Sequence, residues 1–350
     1  MNIQQTSFGQ IEGNEVLLYT LDNGTVQVGV TNIGATITSI RMPDKNGEVA
    51  DVVLGFDNPK TYLDPEYLAG GFFLGATVGR FANRIQKGEF TIDSKKYQVE
   101  INNGPNHLHG GTGSFNTKFW KSEQIQGDSC VGVRMTYVSP HMENGYPGQL
   151  TTTVTFKLDS DNSLQISYQA QTDRTTILNL TNHSYFNLKG EGTIFDTKVL
   201  MQASNYTPKD EYCIPDGSIE SVSGTPLDFT FEHTIGERVH MYEDGYDHNY
   251  VINGNRGQLR KAAEAWDEKS GRKMEFLTTE PGFQFYSAHW LNGKWGRTPE
   301  SKNKFVSYGG FCFEAQHFPD SPNKPQFPST QLKPGETYTQ TTVYKFSVMK

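Results

Sequence analysis

Cysteine is scarce: the 350 residues hold three, Cys130, Cys213 and Cys312. None is spaced as CxxC or as a zinc-binding set, and an odd number makes no disulfide framework, so free thiols in a reducing compartment are expected. Clustered positive charge is missing too. No window gathers five or six basic residues and the formal net charge is −8, which excludes the electrostatic footprint of a nucleic-acid surface. No run of about 18 apolar residues is available for a membrane helix. The opening MNIQQTSFGQIEGNEV has neither a basic nor an apolar leader region. These absences predict a soluble, cytoplasmic chain with neutral polar ligands and no membrane or nucleic-acid partner. The Asn-x-Ser/Thr matches at Asn23, Asn179, Asn182 and Asn205 are then chance.

Also absent are an internal repeat, a low-complexity tract and a flexible linker. The length exceeds the roughly 250 to 300 residues at which one core usually stops growing, so the chain is either two domains or one very large sheet assembly. Without a linker, residues 1–350 are expected to form one continuous domain, as a monomer or weak dimer.

What is present is a period of two. Val154, Phe156 and Leu158 share one face of a strand, Leu164, Ile166, Tyr168 and Ala170 alternate with polar residues, and Tyr344, Phe346 and Val348 alternate again. Turn signals such as Asp22-Asn23-Gly24 and Asp44-Lys45-Asn46-Gly47 lie between such runs. The pattern predicts an all-β, antiparallel sandwich or barrel. LRKAAEAWDEK (Leu259 to Lys269) has helix-favouring composition. However, Lys269-Ser270-Gly271-Arg272 is a good turn and Met274, Phe276 and Thr278 alternate after it, so a hairpin from Ala262 to Thr279 is preferred.

Six stretches carry groups that could do chemistry. In YGGFCFEAQHFPDSPNKPQFPS (Tyr308 to Ser329), Glu314 follows a short apolar strand and precedes a proline-rich segment that cannot continue a sheet. Glu314 is therefore expected where a strand ends, either as a solvated acid or as a functional one. His183 follows the strand Ile177, Leu178, Leu180 in NLTNHSYFNLKG. A lone histidine there is more often structural than catalytic, so it needs partners. His107 and His109, at i and i+2, would face one side of a strand, but the glycines that follow supply no third metal ligand. Nor do they form GxxxxGK[ST]. Arg84 beside Asn83 and Arg80 offers a guanidinium suited to paired hydroxyls, Asp247 lies in a loop between aromatics in GYDHNY, and Gln284 lies between Phe283 and Phe285 in EPGFQFY. Acid, amide, guanidinium and aromatic ring are the side chains that bind sugars.

With these motifs collected, the chain resembles the galactose mutarotase (aldose 1-epimerase) family. The resemblance runs from NIGATITSIRMPDKNGEVADVVLGFD (Asn32 to Asp57) through GRFANRI, NHLHGG, NGYPG, TNHSYFNL, PLDF, GYDHN, TTEPGFQFY and FEAQHFPDSPNKPQFPS to LKPGETY (Leu332 to Tyr338). It implies a single large antiparallel β-sandwich with a shallow open cleft, no required organic cofactor, and interconversion of the α and β anomers of free aldohexoses; no metal is expected, because His107-x-His109 lacks a third ligand and anomerisation needs only proton transfer. It places a base at Glu314, an acid at His183 and sugar contacts at Asn83, Arg84, His109, Asp247 and Gln284, with His107 a neighbour. Ala315 departs from the pattern, which would have a small polar residue beside the base.

The chemistry suits these residue types. Anomers exchange when the proton on the C1 hydroxyl is removed while the ring oxygen is protonated; the ring opens, rotates about C1–C2 and recloses. Glu314 as carboxylate and His183 as imidazolium would serve, the histidine being expected above its reference pKa of about 6.5 because of Asp247. Two other readings remain open. A non-catalytic sugar-binding module would not need Glu314 and His183 together, and a hexose-6-phosphate epimerase would want cations such as Lys87 or Arg41 at the cleft. Asp210, Glu211 and Asp216 are not spaced as a calcium loop.

Overall fold

The structure, a computed structural model, describes residues 1–349. Antiparallel pairing dominates. A nine-stranded sheet runs, in spatial order, through Lys121–Gln126, Cys130–Ser139, Leu150–Asp159, Ser163–Thr172, Tyr338–Val348, Arg272–Thr278, Arg260–Trp266, Lys198–Met201 and His233–Thr234. Its first four strands are successive hairpins, and the C-terminal strand inserts beside the fourth. The alternation in the sequence is met in space: Val154, Phe156, Leu158, Leu164 and Ile166 are all 0% exposed, with Phe156 directly across from Ile166.

The segment with helical composition is a strand, Arg260–Trp266, hairpinned onto Arg272–Thr278. Tertiary packing overrides local propensity here, because Ala262, Ala263 and Ala265 are buried in the core. A register shift between Lys261 and Ala263 turns both Ala262 and Ala263 inward. Helix is confined, among the described residues, to α-segments of five and four residues and a few 3-10 turns. None is long and apolar enough to cross a membrane.

Two five-stranded sheets complete the layers. One is N-terminal, Asn2–Ile11, Asn14–Asp22, Gln27–Thr31, Thr36–Pro43 and Val49–Asp51 in sequential order. The other, the cleft sheet, runs Glu220–Ser221, Asn205–Tyr206, Asp247–Val251, Gly282–Tyr286 and Cys312–Gln316. One continuous hydrophobic cluster joins all three, including Val28, Phe156, Phe283 and Phe313. Phe276 of the large sheet stacks on Phe313 of the cleft sheet with ring centroids 5.3 Å apart. All three cysteines are free.

Candidate functional site

Strand alternation sorts the cleft sheet into two faces. Gln284 pairs with Glu314 and Asp247 with Tyr286, so these four share a face with Cys312, while Phe283, Phe285 and Phe313 share the other. The phenylalanines pack into the core. The polar face looks toward a cavity of about 770 Å³ lined by Asn83, Arg84, His109, His183, Asp247, Glu314 and the aromatics Phe73, Tyr185, Tyr286 and Trp290. Phe283 and Phe285, the rings that flank Gln284 in the sequence, point away from the cleft, and Tyr286 faces it because it is one residue out of phase with them.

Glu314 is neither solvated nor at a strand end. It is the middle residue of Cys312–Gln316, because the ladder continues through Phe283–Ala315 and Gly282–Gln316 before the first proline. Its side chain is 3% exposed. Its Oε2 lies 3.6 Å from Nε2 of His183 and has no hydrogen-bond partner. His183 follows the short strand Thr181–Asn182, anchored by its N–H to the carbonyl of Ala76 at 2.9 Å. The ring lies between Tyr185 (5.0 Å, 17°) and Phe73 (6.2 Å, 18°). Tyr185 was visible in NHSYFNL, whereas nothing in the local pattern marked Phe73.

The two histidines of NHLHGG part company. His107 and Leu108 form a short strand paired with Arg84–Ile85, but His109 has φ +50°, so the alternation that would align the rings stops there. His107 turns inward, with Nδ1 2.6 Å from the carbonyl of Glu100 and Nε2 2.6 Å from the Tyr146 hydroxyl. It lies outside the cavity lining. His109 enters the cleft, its ring 5.3 Å from that of His183. The backbone N–H of Asn83 donates to His109 Nδ1 at 3.1 Å. That contact occupies the Nδ1 lone pair, so the neutral ring carries its proton on Nε2 and is a donor.

His109, His183 and Glu314 bring three potential metal-ligand atoms within 4.8 Å of one another. The fit to a cation is poor. With Nδ1 of His109 taken by an N–H donor, its Nε2 holds a hydrogen and has no lone pair to offer. Zinc normally takes three or four protein ligands. Elsewhere, Asp210 Oδ1 accepts the N–H groups of Tyr212 and Ile214, and Asp216 Oδ1 accepts from Ser218, as turn caps do.

Arg84 enters the cleft from its short strand, with Nε donating to Asn103 Oδ1 at 3.1 Å. Asn83 has φ +64°, and its Oδ1 accepts the Arg84 N–H at 2.9 Å. Asp247 opens the strand Asp247–Val251 rather than lying in a loop. Gln284 is behind it: the amide donates to Asp247 Oδ1 at 2.6 Å, and Gln284 is not part of the cavity lining. Lys87 and Arg41 do not line the cavity either, so among the described residues Arg84 is the cation on its wall.

Electrostatics reverse one expectation. Burial pushes the His183 pKa down to about 4, outweighing Asp247, which favours the charged ring. Burial, and then Asp247, push Glu314 well up against the opposing pull of Arg84. The contact has ion-pair distance, yet desolvation of both partners favours the neutral pair, and we take burial as decisive because neither side chain is more than 5% exposed. Burial therefore works against the imidazolium form of His183 rather than for it. Glu314 protonated and His183 neutral carry one proton between them, the same number as carboxylate plus imidazolium. His109 is held well below its ordinary value by burial, then by His183 and Arg84. For Asp247 burial acts upward, but Lys209, Arg84 and the Gln284 hydrogen bond together hold it below the usual carboxylate range.

An antiparallel β-sandwich presenting opposed acid and base groups in a polar cleft has clear relatives. The chain belongs to the aldose 1-epimerase family, whose sequence model matches residues 17–345. It is 40% identical to galactose mutarotase of Bos taurus over 353 residues, covering 99% of both chains. Against aldose 1-epimerase of Escherichia coli K12 the identity is 34% over 344 residues, covering 96% of both. The crystal structure of galactose 1-epimerase from Lactobacillus acidophilus NCFM matches with a TM-score of 0.87 and 28% identity, covering 100% of this chain and 99% of that one. An aldose epimerase homologue from C. elegans gives 0.84 and 30%, covering 93% and 97%.

Proposed function

We propose that this protein is an aldose 1-epimerase that interconverts the α and β anomers of free aldohexoses, with Glu314 and His183 as the proton-transfer pair. The observation that carries the assignment of roles is their opposition at 3.6 Å on the wall of the cavity, where Glu314 Oε2 lacks a partner. A sugar hydroxyl supplies the hydrogen bond that this oxygen is missing, and the hydroxyls entering the cleft favour the charged form of the pair.

In that form Glu314 removes the C1 hydroxyl proton while His183 Nε2 protonates the ring oxygen. The C1–O5 bond breaks, and the aldehyde forms. The pair is now carboxylic acid plus neutral imidazole, which is the form that burial favours. Rotation about C1–C2 presents the other face of the aldehyde. Glu314 then returns its proton to the carbonyl oxygen, O5 attacks C1, and His183 takes back the O5 proton. General acid and base groups contribute typically about 10² to 10⁴-fold each. His109 Nε2–H and Arg84 donate to the sugar oxygens, while Asp247, held ionised by Gln284, Lys209 and Arg84, accepts from hydroxyls. Polarimetry tests the reading: the rotation of fresh α-D-galactose should relax faster with enzyme than in buffer, and so should that of α-D-glucose. Acceleration of a sugar 6-phosphate but not of galactose would overturn it in favour of a phosphosugar epimerase.

A further inference from the structure

Cys312 is a buried polar group that ring opening, as described, leaves unused. The side chain is 0% exposed, and its Sγ lies 3.5 Å from Nδ1 of His183. Strand geometry accounts for the contact. Cys312 and Glu314 are two residues apart on one strand and project from one face, so the sulfur meets one ring nitrogen of His183 and the carboxyl group meets the other. Tyr185 and Phe73 fix the plane of the ring but not which nitrogen carries its proton. Besides the histidine's own backbone, the sulfur is the group that faces Nδ1.

We propose that Cys312 is a positioning residue for the epimerase reaction: its sulfur accepts the Nδ1–H of His183, so that the proton lost and regained is the one on Nε2, facing the sugar. The inference rests on the acid role given to His183 above. A neutral imidazole has a single N–H. If that hydrogen sat on Nε2, the nitrogen could not take the O5 proton back when the ring recloses. The neutral ring must therefore keep Nδ1–H, and Nδ1–H needs an acceptor. Sulfur is a weak one, so it selects the tautomer without stabilising imidazolium as a carboxylate would, and the ring remains a strong acid. The thiol itself stays protonated, since burial raises the Cys312 pKa well above its ordinary value.

His109 shows the opposite arrangement 5.3 Å away, where a backbone N–H donates to Nδ1 and forces the hydrogen onto Nε2. One cleft histidine is thus a fixed donor and the other a proton carrier. The remaining polar groups around His183 are Glu314 at Nε2, the rings of Tyr185 and Tyr286, and Asp247, which favours the charged ring.

Long-range ¹H–¹⁵N spectra of sugar-free, ¹⁵N-histidine-labelled protein read the tautomers directly, with His183→Asn identifying the signals. Neutral His183 should carry its hydrogen on Nδ1 and His109 on Nε2; an Nε2–H tautomer at His183 overturns the proposal. Because this spectrum involves no turnover, it stands apart from polarimetry, whose failure would instead reject the epimerase reading. Cys312→Ala should lower kcat roughly tenfold, change KM by less than about twofold and shift the acid limb of the kcat profile. Cys312→Ser, which keeps an acceptor, should recover most of the loss. Equal losses in the two variants, or an unchanged profile in Cys312→Ala, would reduce Cys312 to packing and overturn the assignment.

Discussion

On one face of strand Cys312–Gln316 stand Phe313 and Ala315; on the other stand Cys312, Glu314 and Gln316. Burial does not distinguish them, since none of the five is more than 3% exposed. What distinguishes them is what lies opposite. Phe313 meets Phe276, Phe283 and Phe285 at centroid distances of 5.3 to 5.6 Å, and its carbonyl accepts the Tyr344 hydroxyl at 3.0 Å. Glu314 meets a histidine and leaves an oxygen unpaired. Desolvation therefore stabilises the fold on one side of the strand. On the other it shifts a carboxyl group and an imidazole toward their neutral forms.

Substitutions on the two faces should separate stability from turnover, and the core face should respond most. Phe313→Ala removes a ring from a close-packed aromatic cluster and should cost about 3 to 5 kcal/mol, read from the chemical denaturation midpoint. The kcat of the protein that remains folded should fall less than about tenfold. A loss of turnover without a loss of stability would break the division between the faces. Next in size, Glu314→Gln should lower kcat by roughly 10²-fold or more while sugar binding survives. His183→Asn should act similarly, and because both groups are proposed to serve one step the double variant should lose far less than the product. Near-normal kcat in Glu314→Gln would move the base elsewhere.

The smallest effect concerns acid. His107 and His183 are both pushed down to about 4 and His248 to about 3, in each case chiefly by burial. Between about pH 6.5, where the unfolded chain protonates, and these folded values, the unfolded state binds more protons. Stability must therefore fall as pH is lowered through that window, by about 2 kcal/mol per histidine at pH 5. Glu314, raised in the folded state, acts in the opposite sense. His107 lies outside the cavity, so His107→Gln should flatten the pH dependence of the denaturation midpoint while leaving kcat in place. An unchanged slope would show that the other depressed histidines, His109, His183 and His248, carry the acid sensitivity.

Much of the architecture was legible because period-two alternation is a local property. The faces of strands Leu150–Asp159 and Ser163–Thr172 are those the sequence indicates, and the Ser270-Gly271 turn outweighs the alanines of Arg260–Trp266. The identities of Glu314, His183, Asn83, Arg84, His109 and Asp247 as residues converging on a cleft were also legible, through motifs spread over the chain, and the cavity collects all six. Less legible were Gln284, which supports Asp247 from behind, and Tyr286, which replaces the two phenylalanines on the cleft side. The phase of the strand puts both on the cleft face, and the hydrogen bond to Asp247 holds Gln284 behind that side chain.

By itself, then, the sequence determined the strand periodicity and the turns, because those depend on residue type and on spacing over a few positions, and its motifs, spread along the chain, supplied six of the polar residues of the cleft. The tertiary structure decided where Glu314 sits in its strand, that His107 and His109 face different surroundings, and that Cys312 touches His183 across 129 positions of chain. It also decided the protonation of the Glu314–His183 pair. A pKa is set by how much water the surrounding layers exclude and by which charges they bring near, and neither quantity exists until strands distant in sequence have packed.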